Sequence, residues 1–230
     1  MKKRFYLNLT DVSTEIVYSS AFGPEKMKKY FRVFNPKLID NLHEDHKNIV
    51  VIVGHLCNWE VGCSVLPLFV EQKVYAVYNP LSNPFSEGII SNVRNRFGLK
   101  LVKKEKSNHF FKSTELEKKT VLFLGDEKPK VENTIWANFL NQDTPVYCGA
   151  EKMAKKLNCP VVFMYNRRIK RGKYEIGFDL ITENPSALNE GDITKMYVQK
   201  LEEEIKEMPS TWHWSYRWWG LKRPTKVPVN

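Results

Sequence analysis

His55 and Glu60 are the two side chains whose types and spacing are best suited to proton transfer. His55 follows a glycine at the end of a run of five β-branched residues (49–53), and Glu60 lies five positions further on. A carboxylate that binds one imidazole nitrogen fixes the tautomer and leaves the other nitrogen free to accept a proton. Such a pair, with His55 as general base and Glu60 as its orienting carboxylate, can activate a hydroxyl for attack on a thioester carbonyl.

Other interpretations of this segment are open. A glutamate beside a histidine, where a loop leads into a helix, is often an ordinary capping residue. A metal site formed by His55, Cys57 and Cys63 is disfavoured, because their spacing fits no common zinc pattern, and no metal is predicted. Cys57 as a covalent nucleophile is the last alternative, although a small buried packing residue is the simpler interpretation.

The elements that must position these groups alternate between strands and helices. Residues 48–54 are typical of a strand buried on both faces, as in a parallel sheet. Further strands are predicted at 73–78, 100–102, 120–124, 159–165 and 174–181, and helices at 5–20, 24–34, 36–44, 59–71, 84–97, 144–157 and 192–208. This alternation predicts an α/β sandwich with a mixed, largely parallel sheet flanked by helices. We expect one domain over residues 1–230, with a helical N-terminal part (1–47) and an α/β catalytic core (48–230).

Ligands of open α/β sheets bind outside the carboxyl ends of the strands, so residues that directly follow strands are candidates for one common site. His55 lies at the end of one predicted strand, and Asp126 follows the strand predicted at 120–124, so both should face one crevice. Arg94 and Arg96 lie near the end of the helix predicted at 84–97. A fixed cation there would stabilise the oxyanion that forms when a thioester is attacked, although solvated surface arginines are the alternative.

The charge of the chain predicts an anionic partner. The net charge of +10 and the pI near 9.3 suit nucleic acid, an anionic membrane leaflet or a phosphate-rich ligand. No helix-turn-helix, zinc-finger or aromatic RNA-binding pattern is present, so a nucleic-acid-binding protein is disfavoured. The four cysteines form neither a C-x-x-C motif nor a secreted disulfide pattern, which favours a reducing compartment.

No apolar run approaches the roughly 20 residues that cross a bilayer, so we expect the chain to lie on a membrane surface rather than to span it. Several tryptophans near the C-terminus alternate with basic residues, which is the composition of an interfacial anchor. These tryptophans are Trp212, Trp214, Trp218 and Trp219. Tryptophan also packs in cores, and we expect at least two of the four to do so.

Several blocks of the sequence resemble, in order, the late acyltransferases of lipid A biosynthesis, the lauroyl and myristoyl transferases related to the glycerolipid acyltransferases. The block from Gly54 to Glu60 is similar to the G-H-x-G-N-W-E motif of that family. Similar blocks follow at residues 78–84, 93–98, 125–127, 139–154 and 209–224. The resemblance implies transfer of a fatty acyl chain from an acyl-carrier-protein or acyl-CoA thioester to a hydroxyl or amine of a lipid A precursor or related lipid. It implies no cofactor beyond this co-substrate.

The resemblance also implies roles for single residues. Arg94 or Arg96 would contact the oxyanion or a phosphate. Substrate-binding positions would be Asn58, Trp59, Asn83, Asp126 and Arg217. The expected partners are the acyl carrier protein or CoA thioester, an anionic lipid or glycolipid acceptor, and the cytoplasmic face of the bacterial inner membrane. The contact with that membrane would be peripheral, because the family's usual N-terminal membrane helix does not precede Met1.

The sequence departs from the family pattern beside the expected chemistry. Cys57 replaces a glycine, Glu127 replaces a glutamine, and Tyr216 and Trp218 replace a histidine and an arginine. The alternative function is an acyl thioesterase or other hydrolase that uses the same His/Glu pair with water as acceptor. Release of the acyl group from a thioester without any lipid acceptor would favour it.

Overall fold

The β-branched run at 49–53 forms the centre of the sheet in the computed structural model, which describes residues 1–113, 117–130 and 133–223. The strands are β1 (Phe31–Val33), β2 (Asn48–Val53), β3 (Lys73–Tyr78), β4 (Lys100–Lys103), β5 (Lys119–Leu124), β6 (Thr134–Phe139), β7 (Gln142–Tyr147), β8 (Val161–Lys170) and β9 (Lys173–Thr182). The helices are α1 (Lys2–Ser19), α2 (Pro24–Tyr30), α3 (Lys37–Asp45), α4 (Trp59–Val65), α5 (Pro84–Asn95), α6 (Ser107–Ser113), α7 (Gly149–Leu157) and α8 (Asp192–Glu207).

Seven of these strands form one sheet in the order β1-β9-β8-β2-β5-β3-β4. The β8–β9 hairpin is antiparallel, and the other neighbouring pairs are parallel. This confirms the predicted α/β class with a mixed, largely parallel sheet. Parallel strands need crossover connections, and helices supply them on both faces.

The alternating side chains of β2 separate the two halves of the core. Val50 and Ile52 point to one face, where they join the cluster that contains α7, α8 and the C-terminal segment. Ile49, Val51 and Val53 point to the other face, which packs against α3 and α4. All five side chains are at most 2% exposed, as expected for a strand covered on both faces.

Two predicted helices overlap segments that are strands in the structure, and the helix predicted at 59–71 ends at Val65. Residues 144–147, predicted as the start of a helix, belong to β7, which pairs with β6 through a turn at Leu140 and Asn141. Both turn residues have positive φ (51° and 59°), the geometry that suits a tight hairpin. The helix predicted at 24–34 ends at Tyr30, and Phe31 begins β1, where its ring stacks on Tyr174 at 5.0 Å. The N-terminal part therefore contributes a strand to the sheet.

Within the described residues, no helix combines the length and the apolar composition that crossing a membrane requires.

Candidate active site

Two glycines at adjacent strand ends set the position of the candidate site. β2 and β5 are parallel neighbours, with Val53 opposite Leu124, so the following Gly54 and Gly125 lie at matching positions. A side chain on Gly54 would come within 2.5 Å of Leu201, and one on Gly125 within 2.5 Å of Tyr197. These close approaches of α8 require glycine at both positions. The residue after each glycine is polar, and both point out of the same edge of the sheet.

His55 and Asp126 are those residues, and they form a closely bonded pair. The imidazole Nδ1 lies 2.7 Å from Asp126 Oδ1, and the backbone N–H of His55 donates to Oδ2 at 2.8 Å. The Asp126 carboxylate is buried, whereas 21% of the imidazole is exposed. Because Nδ1 faces a carboxylate, Nε2 is the nitrogen left for exchange with a substrate proton.

The pair shifts the pKa of both groups toward the charged forms. Burial lowers the pKa of His55, but the charge and hydrogen bond of Asp126 raise it more, so it lies above the ordinary imidazole value. Burial raises the pKa of Asp126, but His55 and the hydrogen bond from Trp212 outweigh it, so the pKa lies below its ordinary value. Asp126 therefore stabilises the imidazolium that forms when His55 accepts a proton.

The C-terminal segment holds this pair from the outside. Trp212 Nε1 donates to Asp126 Oδ2 at 2.9 Å, which gives that oxygen a second donor. The backbone N–H of His213 donates to the carbonyl of His55 at 3.1 Å, and that of Cys57 donates to the carbonyl of Thr211 at 2.9 Å. Segments that are far apart in the sequence thus fix the loop that carries His55.

Cys57 occupies a backbone conformation that favours glycine. Its φ is +51°, and its side chain is fully buried. This conformation gives a physical reason for the glycine that the resembled family has at this position. Burial raises the pKa of the Cys57 thiol to about 11 and that of Cys63 to about 12, so neither carries an appreciable thiolate at neutral pH.

Glu60 does not contact the imidazole, which corrects the predicted pairing. Its two oxygens accept hydrogen bonds from Arg94 Nε at 2.5 Å and Nη2 at 2.9 Å. Glu60 lies in the first turn of α4, and its side chain points toward α5, where Arg94 binds it. Asp126 takes the position that the prediction gave to Glu60, although the charge of Glu60 also helps to raise the pKa of His55.

The imidazole lies on the wall of a cleft of about 900 Å³. Trp59, Glu60, Arg94 and Glu127 form further parts of this wall, and the Trp59 ring lies 5.0 Å from the ring of His55. Apolar side chains line the remainder, among them Val77, Leu99, Leu122, Phe123 and Leu124. The cleft thus combines a proton acceptor and a cation with an apolar interior.

Two residues predicted to bind substrate instead cap helices. Asn58 is fully buried, accepts from the N–H of Val61 at the start of α4, and donates to Glu15 of α1. Asn83 accepts from the N–H groups of Phe85 and Ser86 at the start of α5. Asparagine is among the preferred residues at this position because its oxygen satisfies otherwise free N–H groups. Neither side chain lines the cleft.

Arg96 and Arg217 lie away from the cleft as well. Arg96 is exposed, and its Nε donates to the carbonyl of Phe22 at 3.2 Å. Arg217 is exposed beside Tyr216. Of the two arginines predicted for the oxyanion, the structure brings only Arg94 into the cleft with His55.

The tryptophans near the C-terminus pack within the protein, which bears out the core interpretation for Trp212 and Trp218 and not the interfacial anchor. Trp212 is 3% exposed, Trp218 is fully buried, and Trp214 and Trp219 pack on the same cluster. Phe139 lies at the centre of this cluster, and its ring centroid is 4.9 Å from that of Trp218 and 5.6 Å from that of Trp212. The group holds the C-terminal segment against the sheet, which is why Trp212 can reach Asp126.

Sequence reasoning missed two contacts of this segment. Trp212 was interpreted through its composition, and Tyr216 as a departure from a family pattern. The Tyr216 ring stacks on His55, with centroids 6.4 Å apart and planes at 15°. His213 also lies near, 6.1 Å from His55 between ring centroids. No local pattern in residues 209–224 indicates that this segment crosses the end of β2.

Among the residues that the structure describes, no group of three histidine, cysteine or acidic side chains is arranged to hold a metal ion.

Comparison with known proteins gives a consistent family. A family model described as bacterial lipid A biosynthesis acyltransferase matches residues 3–220. A lipid A biosynthesis acyltransferase of Haemophilus influenzae is 26% identical over 182 residues, which are 78% of this chain and 55% of that protein. The chain therefore spans about half the length of the curated relative that it matches.

Proposed function

This chain belongs to the bacterial lipid A biosynthesis acyltransferase family, and from that premise we propose that it transfers a fatty acyl chain from a thioester donor to a lipid acceptor. The match confirms the resemblance noted in the sequence. The donor would be an acyl-carrier-protein or acyl-CoA thioester. The acceptor would be a hydroxyl, or an amine, of a lipid A precursor or related anionic lipid. The observation that carries the proposal is the His55–Asp126 pair on the wall of a largely apolar cleft.

The proposed reaction begins with removal of a proton from the acceptor. His55 Nε2 takes the hydroxyl proton while the oxygen attacks the thioester carbonyl, and Asp126 stabilises the resulting imidazolium. Collapse of the tetrahedral intermediate breaks the carbon–sulfur bond. The imidazolium returns its proton to the leaving thiolate, so that the enzyme regains its starting state. The proposed mechanism uses no metal and no nucleophilic cysteine.

Arg94 is the candidate for stabilising the oxyanion. Glu60 accepts from two of its N–H groups, and the guanidinium has five, so others are available as donors at the wall of the cleft. In this proposal Glu60 acts through Arg94, as a positioning residue, and not through His55. A fixed donor at a developing oxyanion commonly lowers the activation barrier by about 3–4 kcal/mol.

We further propose that the edge of the cleft at α5 touches the cytoplasmic face of the bacterial inner membrane. Three large apolar side chains are exposed there: Leu81 (45%), Phe85 (77%) and Ile89 (47%). Leu81 also lines the cleft, so an acyl chain could pass from lipid into the apolar interior. This edge replaces the tryptophan cluster as the candidate peripheral contact.

The experiment that tests the proposal is an in vitro transfer assay with the His55→Ala variant. Purified enzyme receives an acyl-carrier-protein or acyl-CoA thioester, with and without a lipid A precursor, and mass spectrometry identifies the acylated product. We expect product only with acceptor, and a loss of about 10²- to 10⁴-fold in the variant. Rapid hydrolysis without acceptor would instead support the thioesterase alternative, and near-normal transfer by His55→Ala would contradict the mechanism.

A further inference from the structure

A second pocket opens directly beside the catalytic cleft, and three lysines line it. This pocket, the lysine pocket, has a volume of about 1120 Å³ and is lined by Lys104, Lys128 and Lys130. Asn79 and Glu127 line both the lysine pocket and the cleft. A ligand in the lysine pocket could therefore extend past this shared wall to His55.

Lys104 is held in a defined position within the pocket. Its ammonium lies 3.7 Å from the ring centroid of Tyr147 and 4.0 Å from a carboxylate oxygen of Glu127. The side chain is 35% exposed, so it is neither in the core nor freely solvated. Burial lowers the pKa of Lys104, the charge of Glu127 raises it, and the positive charge of Lys130 lowers it. A bound anion would favour the charged form of Lys104.

Lys128 and Lys130 belong to the segment that directly follows Asp126. The backbone N–H of Lys128 donates to the hydroxyl of Tyr216 at 2.9 Å, and the Tyr216 ring stacks on His55. This links the lysines to the catalytic histidine through one side chain. Both lysine side chains are exposed, and neither forms an ion pair with a carboxylate among the residues that the structure describes.

The balance of charge in the pocket favours an anion. Two glutamates, Glu105 and Glu127, line it with the three lysines. Glu127 lies 4.0 Å from the Lys104 ammonium, so these two charges balance each other, and Lys128 and Lys130 remain with Glu105. Lysine ammonium groups are compact point charges with three donors each, which suits the tetrahedral oxygens of a phosphate.

We propose that the lysine pocket binds a phosphate group of the substrate whose reacting atom lies at His55. The inference rests on the proposed acyl transfer, and it adds a binding site for one chemical group. Two sources carry that chemistry: the phosphopantetheine of a thioester donor, and a phosphorylated sugar of a glycolipid acceptor.

The first test measures binding without catalysis. We expect the wild type and His55→Ala to bind N-acetylglucosamine 1-phosphate in calorimetry, and to bind unphosphorylated N-acetylglucosamine much more weakly. The Lys128→Ala/Lys130→Ala variant should lose about 10- to 100-fold in affinity for the sugar phosphate, because two charge-assisted contacts are removed. The matched control is Lys47→Ala/Lys118→Ala, which removes two exposed lysines at the opposite ends of β2 and β5. Equal affinity in all variants would overturn the proposal.

The second test identifies the source of the phosphate. The lysine variant is assayed with acyl-CoA and with acyl-N-acetylcysteamine, a thioester without phosphate, and with phosphorylated and dephosphorylated acceptor. A fall of about tenfold or more in kcat/KM with only the phosphate-bearing donor, or only the phosphate-bearing acceptor, assigns the site. An equal fall with phosphate-free substrates would overturn the proposal.

The two tests also separate this inference from the proposed function. If the wild type transfers no acyl group with any substrate pair, the proposed acyl transfer fails. In that case the calorimetric comparison still decides whether the lysines bind phosphate.

Discussion

Replacing Asp126 by asparagine should remove most of the activity while leaving the shape of the site intact. In the wild type, Oδ1 faces His55 Nδ1, and Oδ2 accepts from the backbone N–H of His55 and from Trp212 Nε1. An amide has one acceptor and one donor in place of these two acceptors. Its oxygen will face the two fixed N–H donors, which places its NH2 group against His55 Nδ1. That nitrogen must then be unprotonated, so the proton moves to Nε2 and the base is lost.

The size of the loss follows from the alternative orientation of the amide. To keep a proton on Nδ1, the asparagine must turn its NH2 group toward two buried N–H donors and leave both unsatisfied. Each unsatisfied buried group costs about 1–3 kcal/mol, so the productive tautomer lies roughly 2–6 kcal/mol higher. At 1.36 kcal/mol for each factor of ten, kcat should fall roughly 30- to 30,000-fold.

The pH dependence of the transfer rate is a second, independent test of the Asp126→Asn variant. His55 must be neutral to accept a proton, so the rate rises with pH through the pKa of His55. Asp126 raises that pKa, whereas burial lowers it, so removal of the charge should shift the residual rising limb to lower pH. Initial rates of acyl transfer between about pH 5 and pH 9 would show both the lower plateau and the shifted limb.

Two variants make this comparison decisive. Asp45→Asn removes an exposed carboxylate at the opposite end of β2 and should change nothing. Glu60→Gln should reduce the rate by only about tenfold, through loss of the charge that holds Arg94. Thermal unfolding confirms that each variant is folded. Asp126→Asn with activity within threefold of the wild type, or Glu60→Gln with the larger loss, would refute the assignment of Asp126 as the orienting carboxylate.

Three further substitutions test the surroundings of the pair. Trp212→Phe removes one donor to Asp126, so kcat should fall about tenfold with little change in the KM of the donor, as steady-state kinetics would show. Cys57→Ala should keep transfer within about threefold, since a thiol with a pKa of about 11 is hardly ionised, and complete loss would indicate a covalent mechanism. Gly125→Ala places a methyl group 2.5 Å from the Tyr197 ring and should lower the free energy of unfolding by about 1–3 kcal/mol in urea denaturation.

Periodicity predicted the elements that are buried on both faces but not those that depend on a distant partner. The run at 49–53 identifies β2 because only a strand covered on both faces is uniformly apolar over so short a length. By contrast, β1 has three residues, and its position depends on pairing with β9, about 140 residues further on. The hairpin of β6 and β7 was missed because its turn, Leu140 and Asn141, lacks the usual glycine.

The site was predictable where it depends on strand ends and not where it depends on helix rotation. His55 and Asp126 both follow predicted strands, and each comes directly after a glycine, so their meeting at one edge could be expected. Glu60 was chosen as the partner because it is near in sequence, but its side chain points toward α5 and binds Arg94. No pattern in the sequence indicates whether Glu60 or Asp126 binds the imidazole of His55. The choice is made by the register of β2 against β5, in which Val53 lies opposite Leu124.

That register has a consequence for how the two sides of the cleft can vary. His55 and Asp126 are fixed by adjacent strands, by α8 against the two glycines and by the indole of Trp212, and none of these contacts involves α5. The opposite wall, with Arg94 on α5, is joined to α4 mainly through Glu60. A substitution on the wall at α5 can therefore alter which lipid is bound while the base keeps its tautomer and its raised pKa. Mutations that exchange acyl preference should accordingly map to α5 and its flanking loop, and should leave the pH dependence of kcat where it is in the wild type.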